Sequence, residues 1–397
     1  MPSPLHAQRV SRMDPMPCIW QQSQSWSWRS LLRTSPGNVR LRGKYQSHMW
    51  VALMQGKTGA TGETFDTVKL TEYLYAELPE FRSPLHVEQI IGGRSNPTFI
   101  LSTPTGKYVL RKQPPGELLP SAHQVDREFF IMRALRETAV PVPEVLILCQ
   151  NKSVIGTDFF VMKYVDGRIF RDNKIPESDF SERREIYLSM AVALADLHSV
   201  DWKSAELESF GKPGHYIERQ VARWSRQYEN SKTDDIRTME LLVEWLPRNT
   251  PAGHETTIAH GDFRLENLII HPTLPDVSAV LDWELSTLGH PLADLAYNCM
   301  PYHLPSHAKA LGGFADLDLQ ELGIPSEQEY LEVYCARAGR TIPSDWNFFL
   351  AFSLFRAAAI MQGVYFRSLQ QSATGMDAGD VHALVEPVSK IAWELVS

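Results

Sequence analysis

Residues 258 to 289 constrain the fold more than any other stretch of the chain. They read Ile258-Ala259-His260-Gly261-Asp262-Phe263-Arg264-Leu265-Glu266-Asn267, then the apolar run Leu268-Ile269-Ile270 and the segment Pro272-Thr273-Leu274-Pro275. A second β-type run follows from Val277 to Leu281 and ends in Asp282-Trp283-Glu284, with Gly289 beyond. Two apolar runs about a proline-flanked turn predict a hairpin. Positions equidistant from the turn face each other across such a hairpin, so Asn267 comes opposite the region of Asp282. An amide oxygen and a carboxylate then meet at its open end, a hard-oxygen pair suited to Mg²⁺ when phosphates supply the remaining ligands. Asp262 falls just outside that pair, free to accept a proton from an attacking hydroxyl. A positioned base, an Asn and an Asp on metal, and nothing covalent are the parts that phosphoryl transfer needs.

The spacing of Asp262 and Asn267 is that of the kinase catalytic loop, and Asp282-Trp283-Glu284 stands where protein kinases carry Asp-Phe-Gly. The combination resembles the aminoglycoside phosphotransferase and choline kinase superfamily. Within it, Gly261 to Leu265 and Leu281 to Thr287 resemble the kinase-like domain of acyl-CoA dehydrogenase family members 10 and 11, over roughly residues 66 to 395. The resemblance implies a bilobal protein-kinase-like α+β fold, with a small antiparallel-sheet lobe, a helical C-lobe and ATP or GTP with Mg²⁺ between them. It implies a small-molecule kinase whose acceptor is a hydroxyl of a hydroxyacyl-CoA or hydroxy acid in fatty-acid catabolism, with a separate acyl-CoA dehydrogenase as partner. The alternatives are a kinase for an amino alcohol, aminosugar or sugar, and a non-catalytic nucleotide-binding module. Retention of Asp262, Asn267 and Asp282 together speaks against the last.

Composition narrows the field from another side. The net charge is −8 over 397 residues, yet residues 1–50 hold seven Lys or Arg against the single Asp14. The remainder is strongly acidic, which argues against a general nucleic-acid binder. No apolar run in the sequence reaches the length of a membrane span. Cys18, Cys149, Cys299 and Cys335 are too scattered for a zinc motif or a disulfide framework and fit a reducing compartment.

Taken in order, residues 1–62 lack a sustained period and are rich in Ser, Gln, Arg and Trp. They are expected to be a disordered or targeting extension. Their acid-poor composition fits a transit peptide, hence an intracellular, cytoplasmic or mitochondrial site, and an arbitrary extension is the alternative. An N-lobe is expected over 63–165, opening with a helix from Phe65 to Leu78 that Thr64 or Asp66 caps. Strands on either side of Gly92-Gly93-Arg94-Ser95-Asn96 suit a nucleotide-covering hairpin, with backbone donors, Ser95 and Asn96 cradling phosphate. On the strand Lys107 to Lys112, alternation sets Val109 and Arg111 on one face and Leu110 and Lys112 on the other. Arg111 is the expected phosphate-contacting cation, with Lys112 as the alternative, and Glu128 on the following helix is its expected partner. Phe159 to Val165 reads as an edge strand and hinge, where backbone groups of Met162 to Tyr164 meet an adenine.

The C-lobe is expected over 166–397. A helix from Glu182 to His198 is read as buried core, with His198 packed rather than catalytic. Arg219, Arg223 and Arg226 recur at offsets of four and seven on a helix over 215–229, giving one basic face. That face is a candidate dock for the phosphates of CoA. The resemblance further implies that Asp294 braces the catalytic loop. Helices near 327–338, 346–369 and 378–395 complete the lobe.

Overall fold

The computed structural model describes residues 65–90, 96–116, 124–307, 311–370 and 378–397. The expected N-terminal extension and Gly92, Gly93 and Ser95 lie outside the described residues. Helix α1, Thr67–Glu77, starts where the Asp66 carboxylate accepts from the N–H groups of Val68 and Lys69. Such a cap satisfies donors that a helix end otherwise leaves unpaired. Its Leu70 and Leu74 are buried under a sheet.

That sheet comprises β1 His86–Ile90, β2 Thr98–Thr103, β3 Gly106–Lys112, β4 Val145–Cys149 and β5 Phe159–Lys163. All its pairings are antiparallel, in the order β1-β2-β3-β5-β4. The expectation that β5 is an edge strand is therefore corrected. Segment 150–158 returns the chain so that β4 pairs with β5 outside it, and β5 becomes an interior strand with Phe159, Phe160 and Val161 fully buried. An unbroken apolar run of this kind belongs inside a sheet with both faces covered. Helix α2, Val125–Leu135, covers one face through Phe129 and Met132.

The rest is mainly helical: α3 Phe180–His198, α4 Tyr216–Ser231, α5 Arg237–Arg248, α6 Pro291–Cys299, α7 Leu319–Leu322, α8 Glu327–Ala338, α9 Trp346–Leu369, α10 Ala378–His382 and α11 Val385–Glu394. The helix expected over 378–395 is thus two. Helix α9 is the one described helix long and apolar enough to cross a membrane, an exception to the sequence expectation, and 78% of its apolar window is buried inside the protein. It is the central core helix of this lobe, packed against α4, α6 and α11.

Two small sheets are set among these helices. β6 Thr257–Ala259 pairs with β9 Thr287–Gly289, and β7 Leu268–Ile270 pairs with β8 Val277–Val280. The second is the expected hairpin. It is held to the chain leaving the first sheet by two backbone bonds between Arg168 and Ile270, of 2.7 and 2.8 Å. Gly167 permits this approach, since a Cβ there would stand 2.4 Å from the Ile270 carbonyl oxygen.

Candidate active site

The loop that follows β6 is fixed through its backbone. Gly261 has φ +82°, and a Cβ on it would lie 2.8 Å from the Leu285 carbonyl oxygen, so glycine is required twice over. The N–H groups of His260 and Gly261 donate to the two carboxylate oxygens of Asp294, at 2.6 and 2.8 Å. Asp294 is buried on the first turn of α6. Burial would raise its pKa, but the bond from His198, the charges of His198 and His260 and the His260 N–H outweigh burial and hold it below the usual range. His198 in turn is packed against Tyr334, whose hydroxyl lies 2.7 Å from Nδ1. Asp294 thus braces the loop directly, while His290 caps α6 by accepting from the Leu292 N–H. The His260 ring donates from Nε2 to the Leu281 carbonyl and accepts the Asp262 N–H at Nδ1. The loop and the second hairpin strand are therefore one unit.

At the hairpin's open end Leu281 N–H donates to the Asn267 carbonyl at 2.8 Å, so the expected opposition of Asn267 and the Asp282 region is present. The Asn267 amide nitrogen donates to the Asp262 carbonyl and to its Oδ2. Its amide oxygen is the atom left for a cation. Asp282 takes the left-handed conformation, φ +65° and ψ +60°, a position few non-glycine residues accept without a reason. The resulting pair, an amide oxygen and a carboxylate, fits Mg²⁺ by donor chemistry.

Arg111 lies where strand alternation put it. Its guanidinium donates to Asp282 Oδ1 at 2.7 Å and to Glu128 at 3.1 to 3.2 Å. Burial opposes its charge, but Glu128 and Asp282 outweigh burial and raise its pKa. For Glu128 burial dominates and pushes the carboxyl up to about 7, against the pull of Arg111 and Asn96. Lys112, the alternative cation, is buried at the other side of the strand. Arg127, one residue before Glu128, bonds the carbonyls of Phe210 and Ser286 from α2, at 2.9 and 3.2 Å.

Several expectations are corrected. Asp262 is held rather than open on every side: Tyr297 donates to Oδ1 at 2.5 Å and Arg264 lies 3.4 Å away, while Asn267 donates to Oδ2, and lone pairs are left on the carboxylate for an acceptor hydroxyl. Both oxygens of a half-buried carboxylate have found donors, as such groups must. Asn96, expected to cradle phosphate, is buried and its amide donates to Glu128 at 2.8 Å, because a buried carboxylate needs a second donor. At the hinge, Lys163 and Tyr164 N–H are spent on the carbonyls of Glu144 and Lys107, and Met162 pairs with both Val109 and Val145. An interior strand cannot offer the donors an edge strand would. The basic face on α4 is also incomplete. Arg223 and Arg226 are exposed, whereas Arg219 turns back to bond the Gly214 and Lys212 carbonyls.

Two residues were missed. Tyr297 lies one turn beyond Asp294 on α6, and a brace at Asp294 would have pointed the next turn at Asp262. Arg356 on α9 donates to the Gly261 carbonyl at 2.8 Å, with its guanidinium over the rings of Tyr297 and Trp224. No local signal marks it. Beside Tyr297 and Arg264 opens a cavity of about 190 Å³, with Met190, Leu311 and Phe314 among its apolar walls. Arg171, Arg264 and Glu266 are its charged lining residues, and Glu266 is paired with Arg264. The buried Tyr302 hydroxyl in its wall has no partner among the described residues.

A sheet lobe joined to a helical lobe, with Asp, Asn, Asp and Arg converging between them, defines a kinase-like phosphotransferase architecture. Residues 86–330 match the phosphotransferase enzyme family, and the chain belongs to that family. It is 48% identical over 314 residues to mouse acyl-CoA dehydrogenase family member 10, a match covering 79% of this chain and 29% of the relative. The chain thus spans under a third of that relative's length. It is 43% identical to a Ralstonia eutropha JMP134 protein provisionally described as an aminoglycoside phosphotransferase, whose crystal structure superposes with a TM-score of 0.77 over 84% of this chain and 98% of that one. An aminoglycoside phosphotransferase solved with ADP and hygromycin B shares the fold at 13% identity and a TM-score of 0.55, over 83% of this chain and 99% of that one.

Proposed function

We propose that this protein transfers the γ-phosphate of ATP to a hydroxyl of a small molecule. The convergence of Asp262, Asn267, Asp282 and Arg111 carries the reading. Asn267 and Asp282 would hold Mg²⁺, which neutralises charge on the transferring phosphates. Arg111, held by Glu128, would contact phosphate, and Asp282, its present partner, would be among the residues that hold the metal. Asp262 orients the acceptor hydroxyl and takes its proton. Tyr297 and Asn267 fix the carboxylate, so that little reorganisation is left for the moment of reaction. The loop backbone, locked by Asp294 and Arg356, keeps Asp262 at its post.

The acceptor we propose is a hydroxy acid or its CoA thioester. A cationic aminosugar or amino alcohol calls for acidic walls, whereas in the cavity beside Tyr297 and Arg264 the lining charge with no ion-pair partner among the described residues is Arg171. The relationship to a protein named for acyl-CoA dehydrogenation points the same way. The exposed Arg223 and Arg226 remain available to a CoA phosphate, and a separate dehydrogenase acting on the product is part of this reading.

The test is phosphate transfer from Mg-ATP to matched hydroxyacyl-CoAs, free hydroxy acids, amino alcohols and sugars. Asp262→Asn should lower kcat by about 10²–10⁴ with nucleotide binding retained. Asp282→Ala should abolish metal-dependent nucleotide binding in calorimetry. Arg171→Ala should raise KM for both acid acceptors, and Arg223→Glu should raise it for the thioester alone, each leaving KM for ATP unchanged. Turnover of an amino alcohol or sugar in preference to every acid would overturn the acceptor assignment, and near-normal turnover by Asp262→Asn would remove the base.

A further inference from the structure

Where α4 begins, away from the phosphate-transfer residues, three ligand-bearing side chains converge. The candidate ligand atoms of His215, Glu218 and His254 all lie within 4.8 Å of one another. Glu218 Oε1 is 3.1 Å from His215 Nδ1 and 3.6 Å from His254 Nδ1, and the two imidazole centroids are 3.8 Å apart. We propose that these residues form a binding site for a divalent transition-metal ion, with Zn²⁺ as its natural occupant.

The chain goes to some length to build this cluster. His215 is left-handed at φ +48° and makes no side-chain cap bond to the helix it precedes. A non-glycine residue keeps such a conformation only where its surroundings impose it. Here the Gly214 N–H bonds Thr256 Oγ1 at 3.0 Å, and the Arg219 guanidinium grips the Lys212 and Gly214 carbonyls. These bonds tie the segment bearing His215 to the segment bearing His254 without using any of the three ligands. The site is therefore positioned before an ion arrives, which lowers the ordering cost of binding. Arg219, expected in substrate binding, is a brace for this loop.

Donor chemistry selects the ion. Two imidazole nitrogens and one carboxylate oxygen make a borderline set that suits Zn²⁺ and its late first-row neighbours, while Mg²⁺ prefers oxygen alone. Tetrahedral bonds of about 2.0–2.1 Å would set the ligand atoms about 3.4 Å apart, which small side-chain rotations reach from the spacing present. His215 and His254 are exposed, so an ion enters from solvent and water completes its coordination. His254 stands three residues before Thr257, where β6 begins its run to His260, so the ion would clip the approach to the active-site loop onto α4.

The experiment is calorimetric titration of the full chain, stripped with EDTA, against ZnCl₂, with melting curves alongside. Wild-type protein should take up zinc and melt at a higher temperature with it. His215→Ala and His254→Ala should each weaken that uptake by at least about 100-fold, since even outer-shell changes cost 10–100-fold. Their metal-free melting should match wild type. Asp282→Ala should retain the zinc site. No zinc uptake by wild type, wild-type uptake by either histidine variant, or loss of uptake in Asp282→Ala would each overturn the proposal.

Discussion

Arg111 on β3 and the arginines of α4 carry the same charge into opposite surroundings. Arg111 is largely enclosed, with one carboxylate at 2.7 Å and another at 3.1 Å. Arg223 and Arg226 are exposed, and Arg219 spends its donors on two carbonyls of the preceding loop. Periodicity placed Arg111 on the face that meets Glu128 and Asp282, but it set Arg219 on a basic face from which its side chain turns away. What separates them is the partner each meets: carboxylates 17 and 171 residues on for Arg111, and carbonyls of the loop just before it for Arg219. A guanidinium enclosed with carboxylates is a structural and electrostatic fixture, whereas one on an open face is optional for folding.

The comparison breaks first at Arg111. Arg111→Ala leaves Glu128 and Asp282 without their cation, and loss of one partner from a buried pair costs about 3–5 kcal/mol. Chemical denaturation should show a loss of that order together with the loss of phosphotransfer. A change no larger than that of Arg223→Ala would erase the distinction. Tyr297→Phe removes a bond to the Asp262 carboxyl group, worth about 1.5–3 kcal/mol for a charge-assisted bond. Its kcat should fall about 10- to 100-fold with Mg-ATP affinity intact, and an unchanged kcat would make the tyrosine a packing residue only.

Within α4 a smaller contrast is expected. Arg219→Ala should cost about 1–3 kcal/mol for its two carbonyl bonds, while Arg223→Ala and Arg226→Ala stay within about 0.5 kcal/mol. Equal effects from all three would return Arg219 to the basic face. The smallest effect concerns His290, shielded from water like Arg111 but with no ion-pair partner among the described residues. Burial dominates there and lowers its pKa to about 4. Between about pH 4 and 6.5 the unfolded chain binds the proton and the folded one does not, so stability should rise with pH across that window. His290→Asn keeps an N-cap acceptor and should flatten the slope of melting temperature against pH. An unaltered slope would assign it to other groups, His198 first among them.

How much could be read from the sequence follows the same division. The hairpin of β7 and β8, the Arg111 and Glu128 pair and the limits of α8 and α9 were legible because strand alternation, helical period and short turns are local properties. The interior position of β5 was not, because it depends on which strand the chain supplies beside it after segment 150–158. Asn96 looked like a phosphate donor because nothing near it in sequence shows that a carboxylate 32 residues on will claim its amide. Arg356 reaches Gly261 across 95 residues, from inside an otherwise apolar helix. Tyr297 was within reach, since Asp294 already marked the face of α6 that meets the loop.

Arg127 and Glu128 are neighbours on α2, yet they hold opposite sides of the molecule. Glu128 grips the sheet through Arg111, and Arg127 grips the helical lobe through the Phe210 and Ser286 carbonyls. Helix α2 is therefore geared to both lobes. If the sheet swings away to open the cleft, α2 must either slip on its Arg127 teeth or let go of Arg111. The first keeps the phosphate cation aligned while the lobes part, and the second releases it. On the proposed function, release of spent nucleotide and loosening of the Arg111 guanidinium would then be coupled to how one helix turns, at two adjacent positions.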